Sequence, residues 1–360
     1  MKFVHIADMH LDMPFVSLRG NKELIKKKKM EQRFVFQKVI NYINENKIDI
    51  LFASGDLFEQ KFVTDDTISF LISSFKNIPN TKVFITPGNH DPLIKSSAYN
   101  TQEWPENVFI FGKEVGMYEI QNINVYGFGF EDYEYNSNEL ETLEVDKSKV
   151  NILIAHGTLN GGSKKYQDIP EKWLEKFDYV AFGHIHMPKI DNSKIIYPGS
   201  LTSCGFDELG VHGMVVGEIK EEAPNEQEIV TENRLTSDLV SYKFLDISDM
   251  DFEIINLDIS KYSSTTEALN ELKIENNIYR IVLNGIRNLD VAKLIEEIKL
   301  LSDNIVEVID NTRNDYNLEQ ISHENTLKGV FAKKMLEELD NNSENQDEIN
   351  KAIECVFENL

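Results

Sequence analysis

The sequence predicts an α/β protein with one large N-terminal domain, a small α+β capping domain and a helical C-terminal tail. Its 360 residues exceed what a single compact core usually holds. Short apolar runs that end in polar residues alternate with helical patterns, which is typical of an open α/β sheet. The pattern changes past Asp249, so the expected domain limits are 1–248, 249–315 and 316–360.

Polar side chains follow five of these apolar runs at the point where each run ends. Because the carboxyl ends of parallel strands meet at one edge of a sheet, these side chains are expected to lie together. The runs and the residues that follow them are Phe3 to Ala7 with Asp8 and His10, Ile48 to Ser54 with Gly55-Asp56, Lys82 to Thr86 with Gly88-Asn89-His90-Asp91, Val150 to Ala155 with His156, and Asp178 to Phe182 with His184 and His186.

The side chains at these ends are carboxylates, imidazoles and one amide, with no thiolate among them. That donor set suits Mn, Fe or Zn, and it is too large for one ion, which favours a pair of divalent ions sharing a bridge. Asp56 lies in the middle of the set and is the natural bridging carboxylate. Such a pair can activate a water for attack on a phosphoester. The candidate ligands are Asp8, His10, Asp56, Asn89, His156, His184 and His186.

His90 and Asp91 are the candidate catalytic residues. His90 follows Asn89 but need not bind metal, so it is free to stabilise developing charge or to protonate a leaving oxygen. Asp91 is expected to orient it as a hydrogen-bond acceptor. The competing interpretation is a set of unrelated polar residues at strand ends. It suits any one of them, but seven together argue against it, whereas His5 and His323 are interpreted as structural or surface histidines.

Composition narrows the function class. The formal charge is −24, and from Glu218 to Leu360 the chain carries 14 Lys and Arg against 32 Asp and Glu. An acidic chain is a poor non-specific binder of nucleic acid, which counts against a DNA substrate unless a local patch or a partner supplies positive charge.

Cys204 and Cys355 lie far apart and suggest neither a disulfide framework nor a thiolate site, so a reduced cytoplasmic setting is expected. No run is apolar enough for a membrane span or a signal peptide, and no membrane partner is expected.

Several segments leave two interpretations open. A helix is predicted from Asn21 to Asn46, and its run Lys26 to Lys29 suits either a phosphate backbone or, by preference, a solvated face. The loop Leu159 to Ile169 carries Lys164-Lys165-Tyr166, which suits a phosphate-bearing strand and an ordinary surface loop equally. Glu221 to Asn233 is polar and acidic and is predicted to be a loop or a hairpin tip.

The C-terminal part is predicted to hold a β-α-β-α-β module from Phe252 to Ile309 and two amphipathic helices. The first helix lies near Glu324 to Leu339, and the second carries Ile349, Ile353, Val356 and Leu360 on one stripe. Two short helices at a chain end either fold back on their own domain or dock on a partner.

The motifs together resemble those of the calcineurin-like metallophosphoesterases. They are Asp8-x-His10, Gly55-Asp56, Gly88-Asn89-His90-Asp91, His156 and Gly183-His184-x-His186. Within that superfamily, three stretches resemble SbcD-type DNA-repair exonucleases, namely Asp8-Met9-His10-Leu11, Gly55-Asp56-Leu57-Phe58 and Tyr197-Pro198-Gly199-Ser200. Phosphoprotein phosphatases carry an Asp-Arg pair where this chain has Leu57-Phe58-Glu59, so a phosphoprotein substrate is disfavoured.

The resemblance implies an α/β/β/α sandwich, two Mn²⁺ ions and a 3′–5′ DNA exonuclease activity. One ion would be held by Asp8, His10, Asp56 and His186, the second by Asp56, Asn89, His156 and His184, and His90 would be the catalytic histidine. The C-terminal helices would bind an SbcC-type, SMC-like ATPase, and a homodimer is left open. The chain departs from some family members at Glu59, where they carry a second active-site histidine.

Three functions therefore remain to be separated. The leading one is a Mn²⁺-dependent DNA phosphodiesterase that works with an ATPase. The second is a phosphodiesterase or phosphatase for small molecules such as cyclic nucleotides, which the acidic balance favours. The third is a scaffold subunit with a structural metal site, against which the complete ligand set and a free His90 argue.

Overall fold

The computed structural model describes residues 1–18, 20–162, 165–191, 193–220, 236–237, 239–341 and 346–359. The predicted loop Glu221 to Asn233 and the predicted positions of Lys164 and Leu360 lie outside these residues. The chain divides into two compact units, one of Met1–Glu253 with Asn276–Ile278 and one of Ile254–Glu275 with Tyr279–Leu360. The three domain limits drawn from the sequence stay a prediction.

The first unit is built on two large sheets. One has seven strands in the order β13-β14-β12-β1-β2-β3-β4, and the other has five in the order β11-β10-β7-β6-β5. A two-stranded ribbon, β8-β9, is also present. The strands of this unit are β1 (Lys2–Ile6), β2 (Ile50–Ala53), β3 (Lys82–Ile85), β4 (Val108–Ile110), β5 (Gly116–Ile120), β6 (Ile123–Gly127), β7 (Val150–His156), β8 (Thr158–Leu159), β9 (Asp168–Ile169), β10 (Tyr179–Gly183), β11 (Ile195–Ile196), β12 (Gly213–Ile219), β13 (Thr236–Ser237) and β14 (Val240–Asp246).

Helices cover the outer faces of these sheets. The helices of the unit are α1 (Lys22–Asn46), α2 (Asp65–Lys76), α3 (Ala98–Thr101) and α4 (Glu139–Thr142). Phe36 and Val39 of α1 pack with Leu71 of α2 in one apolar cluster that also contains Val4 of β1. A second cluster joins the facing sheets, with Phe52 from the first and Ile152 from the second. The predicted α/β/β/α sandwich is therefore confirmed.

The central strands bring their carboxyl ends to common edges. In the larger sheet β1, β2 and β3 run parallel, with Phe3 opposite Ile50 and Ile50 opposite Lys82. In the smaller sheet β7 and β10 run parallel, with His156 opposite Gly183. All four residues of β2 are buried, as expected for a parallel strand that is covered on both faces. The five apolar runs of the sequence are these five strands.

Helix α1 begins where its sequence provides a cap. The Asn21 side chain accepts a hydrogen bond from the Leu24 N–H at 3.0 Å, and the helix ends before Lys47, which has left-handed backbone angles. The predicted span, Asn21 to Asn46, is accurate to the cap residue. The buried Lys28 ammonium donates to Glu31 at 2.9 Å, so this member of the lysine run is structural.

The second unit has its own core. It contains most of the three-stranded sheet β15-β16-β17, and Leu257, Ile281 and Leu294 form its buried cluster. Helix α7 separates from α8, so the first predicted tail helix begins at Leu327 rather than at Glu324. The remaining elements are β15 (Phe252–Asp258), α5 (Thr265–Glu271), β16 (Ile278–Asn284), α6 (Val291–Lys299), β17 (Ile305–Asp310), α7 (Leu318–Ser322), α8 (Leu327–Asn341) and α9 (Gln346–Asn359). Among the described residues, every helix is too short or too polar to span a bilayer.

Candidate metal centre

The candidate ligands lie in tight turns just beyond the strand ends. Asp8, His10, Asp56 and His184 have φ values of 51°, 47°, 54° and 97°. Residues other than glycine rarely adopt this left-handed backbone conformation, and such strain is concentrated at functional sites. The turns also need glycine, because a Cβ at Gly88 would collide with the Asp56 carboxylate and the His156 ring. The backbone thus turns sharply so that several polar side chains converge.

The first ligand group consists of Asp8, His10 and His186, whose ligand atoms lie within 4.8 Å of one another. His10 Nε2 is 3.0 Å from His186 Nε2, and His186 Nε2 is 4.0 Å from the Asp8 carboxylate. The Asp8 carboxylate accepts the His184 N–H at 3.0 Å, so it also fixes the turn that carries His186. We call these three residues group one.

The second ligand group consists of Asp56, Asn89, His156 and His184, and we call it group two. His156 Nε2 is 3.2 Å from the Asp56 carboxylate and 3.1 Å from the Asn89 side-chain oxygen. That oxygen is also 3.1 Å from His184 Nδ1. Asp56 lies between the groups, since the same carboxylate oxygen is 3.8 Å from His10 Nε2. The structure brings all seven predicted ligands together, and their roles as ligands stay a prediction.

The tautomers of these histidines fit metal ions. His10 Nδ1 lies 2.9 Å from the Glu59 carboxylate, and His186 Nδ1 bonds to Glu208. A carboxylate only accepts, so both Nδ1 atoms donate, and in the neutral rings the two facing Nε2 atoms both carry lone pairs. Two lone pairs 3.0 Å apart repel each other unless a cation lies between them. Group one therefore suits a divalent ion.

Group two shows the same donor chemistry. His156 Nδ1 lies 2.8 Å from the Ser54 carbonyl oxygen, which can only accept, so the neutral ring turns its Nε2 lone pair towards the oxygens of Asp56 and Asn89. A nitrogen lone pair among oxygen acceptors is the arrangement that a hard or borderline cation stabilises. The residues present thus fit a pair of ions.

Nearby carboxylates favour the protonated form of two of these imidazoles, His156 and His186. Burial alone would lower the pKa of His156, and the Asp56 carboxylate instead raises it to about 9. Burial likewise opposes the charged form of His186, but the hydrogen bond to Glu208 raises its pKa to about 9. Burial lowers the pKa of His184 to about 3. Because a protonated ring has no free lone pair, binding of ions at this centre releases protons.

Glu59 holds the candidate catalytic residue His90. Its carboxylate oxygens lie 2.9 Å from His10 Nδ1 and 2.9 Å from His90 Nδ1, so one side chain links a candidate ligand to the candidate acid. Burial alone would raise the pKa of Glu59, but its hydrogen bonds to the two histidines lower it to about 2. The His90 side chain is 44% exposed, and its backbone N–H donates to Asp56 at 2.7 Å. His90 therefore lies at the solvent edge of the cluster with a fixed tautomer.

Asp91 does not orient His90, and this expectation from the sequence is wrong. Its carboxylate accepts the N–H groups of Asp56, Leu57 and Gly88 at 3.0, 2.7 and 2.7 Å, and the Tyr99 hydroxyl at 2.7 Å. The residue is fully buried, and burial raises its pKa to about 6. These four bonds tie the Asp56 turn to the Gly88 turn, so Asp91 positions backbone rather than the His90 ring.

Two carboxylates that contact candidate ligands, Glu59 and Glu208, had no role in the sequence analysis. Glu59 was noted only as a departure from a family pattern, and Glu208 was not singled out. The signal that finds them is chemical, since a histidine that ligates metal through one nitrogen almost always donates its other N–H to a carboxylate, a carbonyl or water. Acidic residues in loops near the ligands are then candidates, and Glu208 also accepts the Cys204 N–H at 3.1 Å.

Comparison with known proteins agrees with this geometry. Residues 1–188 match the family model described as calcineurin-like phosphoesterase. The uncharacterized metallophosphoesterase YhaO of Bacillus subtilis (strain 168) is 26% identical over 283 residues, which covers 74% of this chain and 65% of the relative. The match thus spans less than two thirds of that relative's length.

Among solved structures, the purple acid phosphatase PPD1 from yellow lupin (Lupinus luteus) seeds aligns with a TM-score of 0.32 and 15% identity over 54% of this chain and 40% of that one. The family model covers more than half of the chain, including every candidate ligand and His90. Metallophosphoesterases use a dinuclear metal centre to hydrolyse phosphoesters, and the two ligand groups described above have donors that suit such a centre. This chain belongs to the calcineurin-like phosphoesterase family.

Proposed function

We propose that this metallophosphoesterase is a Mn²⁺-dependent DNA exonuclease that works in DNA repair. The observation that carries its chemistry is the exposed, oriented His90 beside the shared carboxylate Asp56. The motif resemblance around Asp8, Asp56 and Tyr197 supports the choice of DNA among phosphodiesters.

In the proposed reaction, ions held by groups one and two would activate a water and neutralise charge on the phosphoester. The residues of this chain prepare the rest of the site. Glu59 accepts the His90 Nδ1–H, which leaves Nε2 as the atom that can hand a proton to the leaving oxygen. Burial opposes the charged form of His90, yet the hydrogen bond to Glu59 raises its pKa above the ordinary histidine value, which favours a protonated donor.

The partner proposed for this activity is an SbcC-type, SMC-like ATPase bound by the C-terminal helices. Helices α8 and α9 pack on each other through Ala332, Ile353 and Phe357. Leu327 and Val330 of α8 remain 68% and 69% exposed, which suits a hydrophobic contact with another protein. A homodimer is the other proposed assembly, and sedimentation of the purified chain with and without the ATPase would separate the two.

The test is degradation of end-labelled duplex and single-stranded DNA with Mn²⁺. We expect metal-dependent loss of label with the wild type, and a fall of about 10²- to 10⁴-fold with His90→Ala, as removal of a general acid usually gives. His323→Ala removes an exposed histidine of the second unit and serves as the matched control. Comparable cleavage by His90→Ala and the wild type would contradict the assignment.

A small phosphodiester is the second candidate substrate, and the formal charge of −24 favours it over a polyanion. The same preparations should therefore be assayed on bis(p-nitrophenyl) phosphate and on cyclic nucleotides. Hydrolysis of these compounds without any cleavage of DNA, in the presence and absence of the ATPase, would select this alternative.

A further inference from the structure

Helix α1 presents a line of positive charge. Lys22, Lys26, Lys29 and Arg33 follow one another at intervals of four, three and four residues. At 3.6 residues per turn they fall within about 60° of the helix circumference, and they extend about 16 Å along its axis. Residues 22–33 carry five lysines and one arginine against two glutamates, in a chain whose formal charge is −24. We call these four residues the basic stripe.

The basic stripe lies against the loop that carries a candidate ligand. The Lys29 ammonium donates to the Asp12 carbonyl oxygen at 3.3 Å, and Gln32 donates to the Met9 carbonyl oxygen at 2.9 Å. Asp12 follows His10 by two residues. A cavity of about 320 Å³ opens between Asp12 and the stripe, and it is also lined by Ile25 and Met30. The stripe thus contacts, through Lys29, the loop that follows the candidate ligand His10.

Only part of this charge is already neutralised. The Lys29 ammonium is 3.8 Å from the Asp12 carboxylate, and Arg33 donates to Asp66 at 2.6 Å. Lys22 and Lys26 are exposed, and neither has an acidic partner within 4 Å in the described part of the chain. A solvated helix face would account for exposed lysines, but it gives no reason for their alignment along a cavity that Asp12 also lines.

We propose that the basic stripe binds the phosphate backbone of a nucleic-acid strand that enters the metal centre. The proposal rests on the proposed function and deepens it, because it separates nucleic acid from small phosphodiesters. A length of about 16 Å corresponds to about five nucleotide steps of 3.4 Å along one strand. A cyclic nucleotide or another small diester is too short to contact Lys22 and Arg33 together, whereas a strand could.

The test is the double variant Lys22→Glu/Lys26→Glu in the full chain. Its matched control is Lys147→Glu/Lys172→Glu, which makes the same change in charge at two exposed lysines of the first unit. Binding of a fluorescent 30-nucleotide DNA, single-stranded and duplex, is measured without divalent metal at several salt concentrations. Cleavage of the same DNA and hydrolysis of bis(p-nitrophenyl) phosphate are then measured with Mn²⁺.

We expect the stripe variant to bind DNA about tenfold or more weakly than the wild type. The slope of log K against log salt should become less steep by about two, which corresponds to the loss of two phosphate contacts. Its ratio of DNA cleavage to diester hydrolysis should fall similarly. The control variant should keep both its DNA affinity and this ratio near the wild-type values. Equal losses in the two double variants would mean a general charge effect and would overturn the stripe. If the stripe variant cleaves DNA as fast as the wild type, the proposed role of the stripe is overturned, while the proposed function stands. A wild type that neither binds nor cuts DNA would overturn both proposals.

Discussion

The two ligand groups of the metal centre are supported in different ways. In group one, His10 and His186 donate their Nδ1–H groups to the carboxylates of Glu59 and Glu208. In group two, His156 donates to the backbone carbonyl of Ser54. A carboxylate increases the basicity of an imidazole more than a neutral carbonyl does, because it carries a full negative charge. Group one is therefore expected to hold its ion more tightly than group two.

The two kinds of support also respond differently to amino-acid substitution. The support of group one is made of side chains, so single changes can weaken it while the ligands remain. The support of group two is a strand end, which is fixed by the pairing of β1, β2 and β3. Asp56 belongs to group two but also lies 3.8 Å from His10 of group one, so the largest effect is expected there.

Asp56→Asn is predicted to remove binding of both ions and to lower kcat/KM for bis(p-nitrophenyl) phosphate by about 10³-fold or more, because the carboxylate that lies between the two groups loses its charge. Metal content by mass spectrometry after dialysis against Mn²⁺ is the direct measurement. Asp65→Asn, at an exposed position in the first turn of α2, is the control. Retention of two tightly bound ions by Asp56→Asn would show that this carboxylate is not shared.

Glu59→Gln is predicted to have the next largest effect, since Glu59 contacts both His10 and His90. Glutamine offers one acceptor oxygen and cannot serve two donating rings, so we expect a loss of about 10- to 100-fold in affinity for the group-one ion. A further loss of kcat should persist at saturating Mn²⁺, because His90 is no longer held. Glu114→Gln, at an exposed position, is the control, and a defect that saturating metal fully repairs would exclude a role through His90.

Glu208→Gln is predicted to lower the affinity for the group-one ion by about 10- to 100-fold. It should not cause the persistent loss of kcat, because His186 is the one candidate residue that Glu208 supports. Titration calorimetry with Mn²⁺ should show a shift in one of the two binding events. An equal weakening of both events would contradict the separation of group one from group two.

The sequence predicted the parts of this site that depend on local pattern. Apolar runs that end in Asp8, Asp56 or His156 can be read residue by residue, and each ended a real strand. The supporting carboxylates could not be found that way, since Glu59 lies 49 residues from His10 and Glu208 lies 22 residues from His186. Their pairing depends on how separate loops meet.

At Asp91 the sequence suggested a contact that the structure does not contain. Adjacency in sequence suggested a pair with His90, but consecutive side chains in a turn diverge, and the buried Asp91 carboxylate faces backbone N–H groups instead. The lysine run was likewise split by burial, with Lys28 inside the protein and Lys26 outside it. Three-dimensional burial, which local pattern does not encode, decided both cases.

Tyr99→Phe is predicted to have the smallest effect and to act on the backbone support that Asp91 provides. The variant removes the buried hydroxyl that donates to the Asp91 carboxylate at 2.7 Å. We expect the free energy of unfolding of the metal-free protein to fall by about 1–3 kcal/mol, as for a buried acceptor that loses its donor. Urea denaturation measures this, with Tyr118→Phe as control, because the Tyr118 hydroxyl makes no hydrogen bond within the described part of the chain. A loss of stability without a loss of Mn²⁺ affinity would show that the three backbone donors alone hold the Asp56 turn, whereas a parallel loss of affinity would make Tyr99 part of the support that the two ligand groups share.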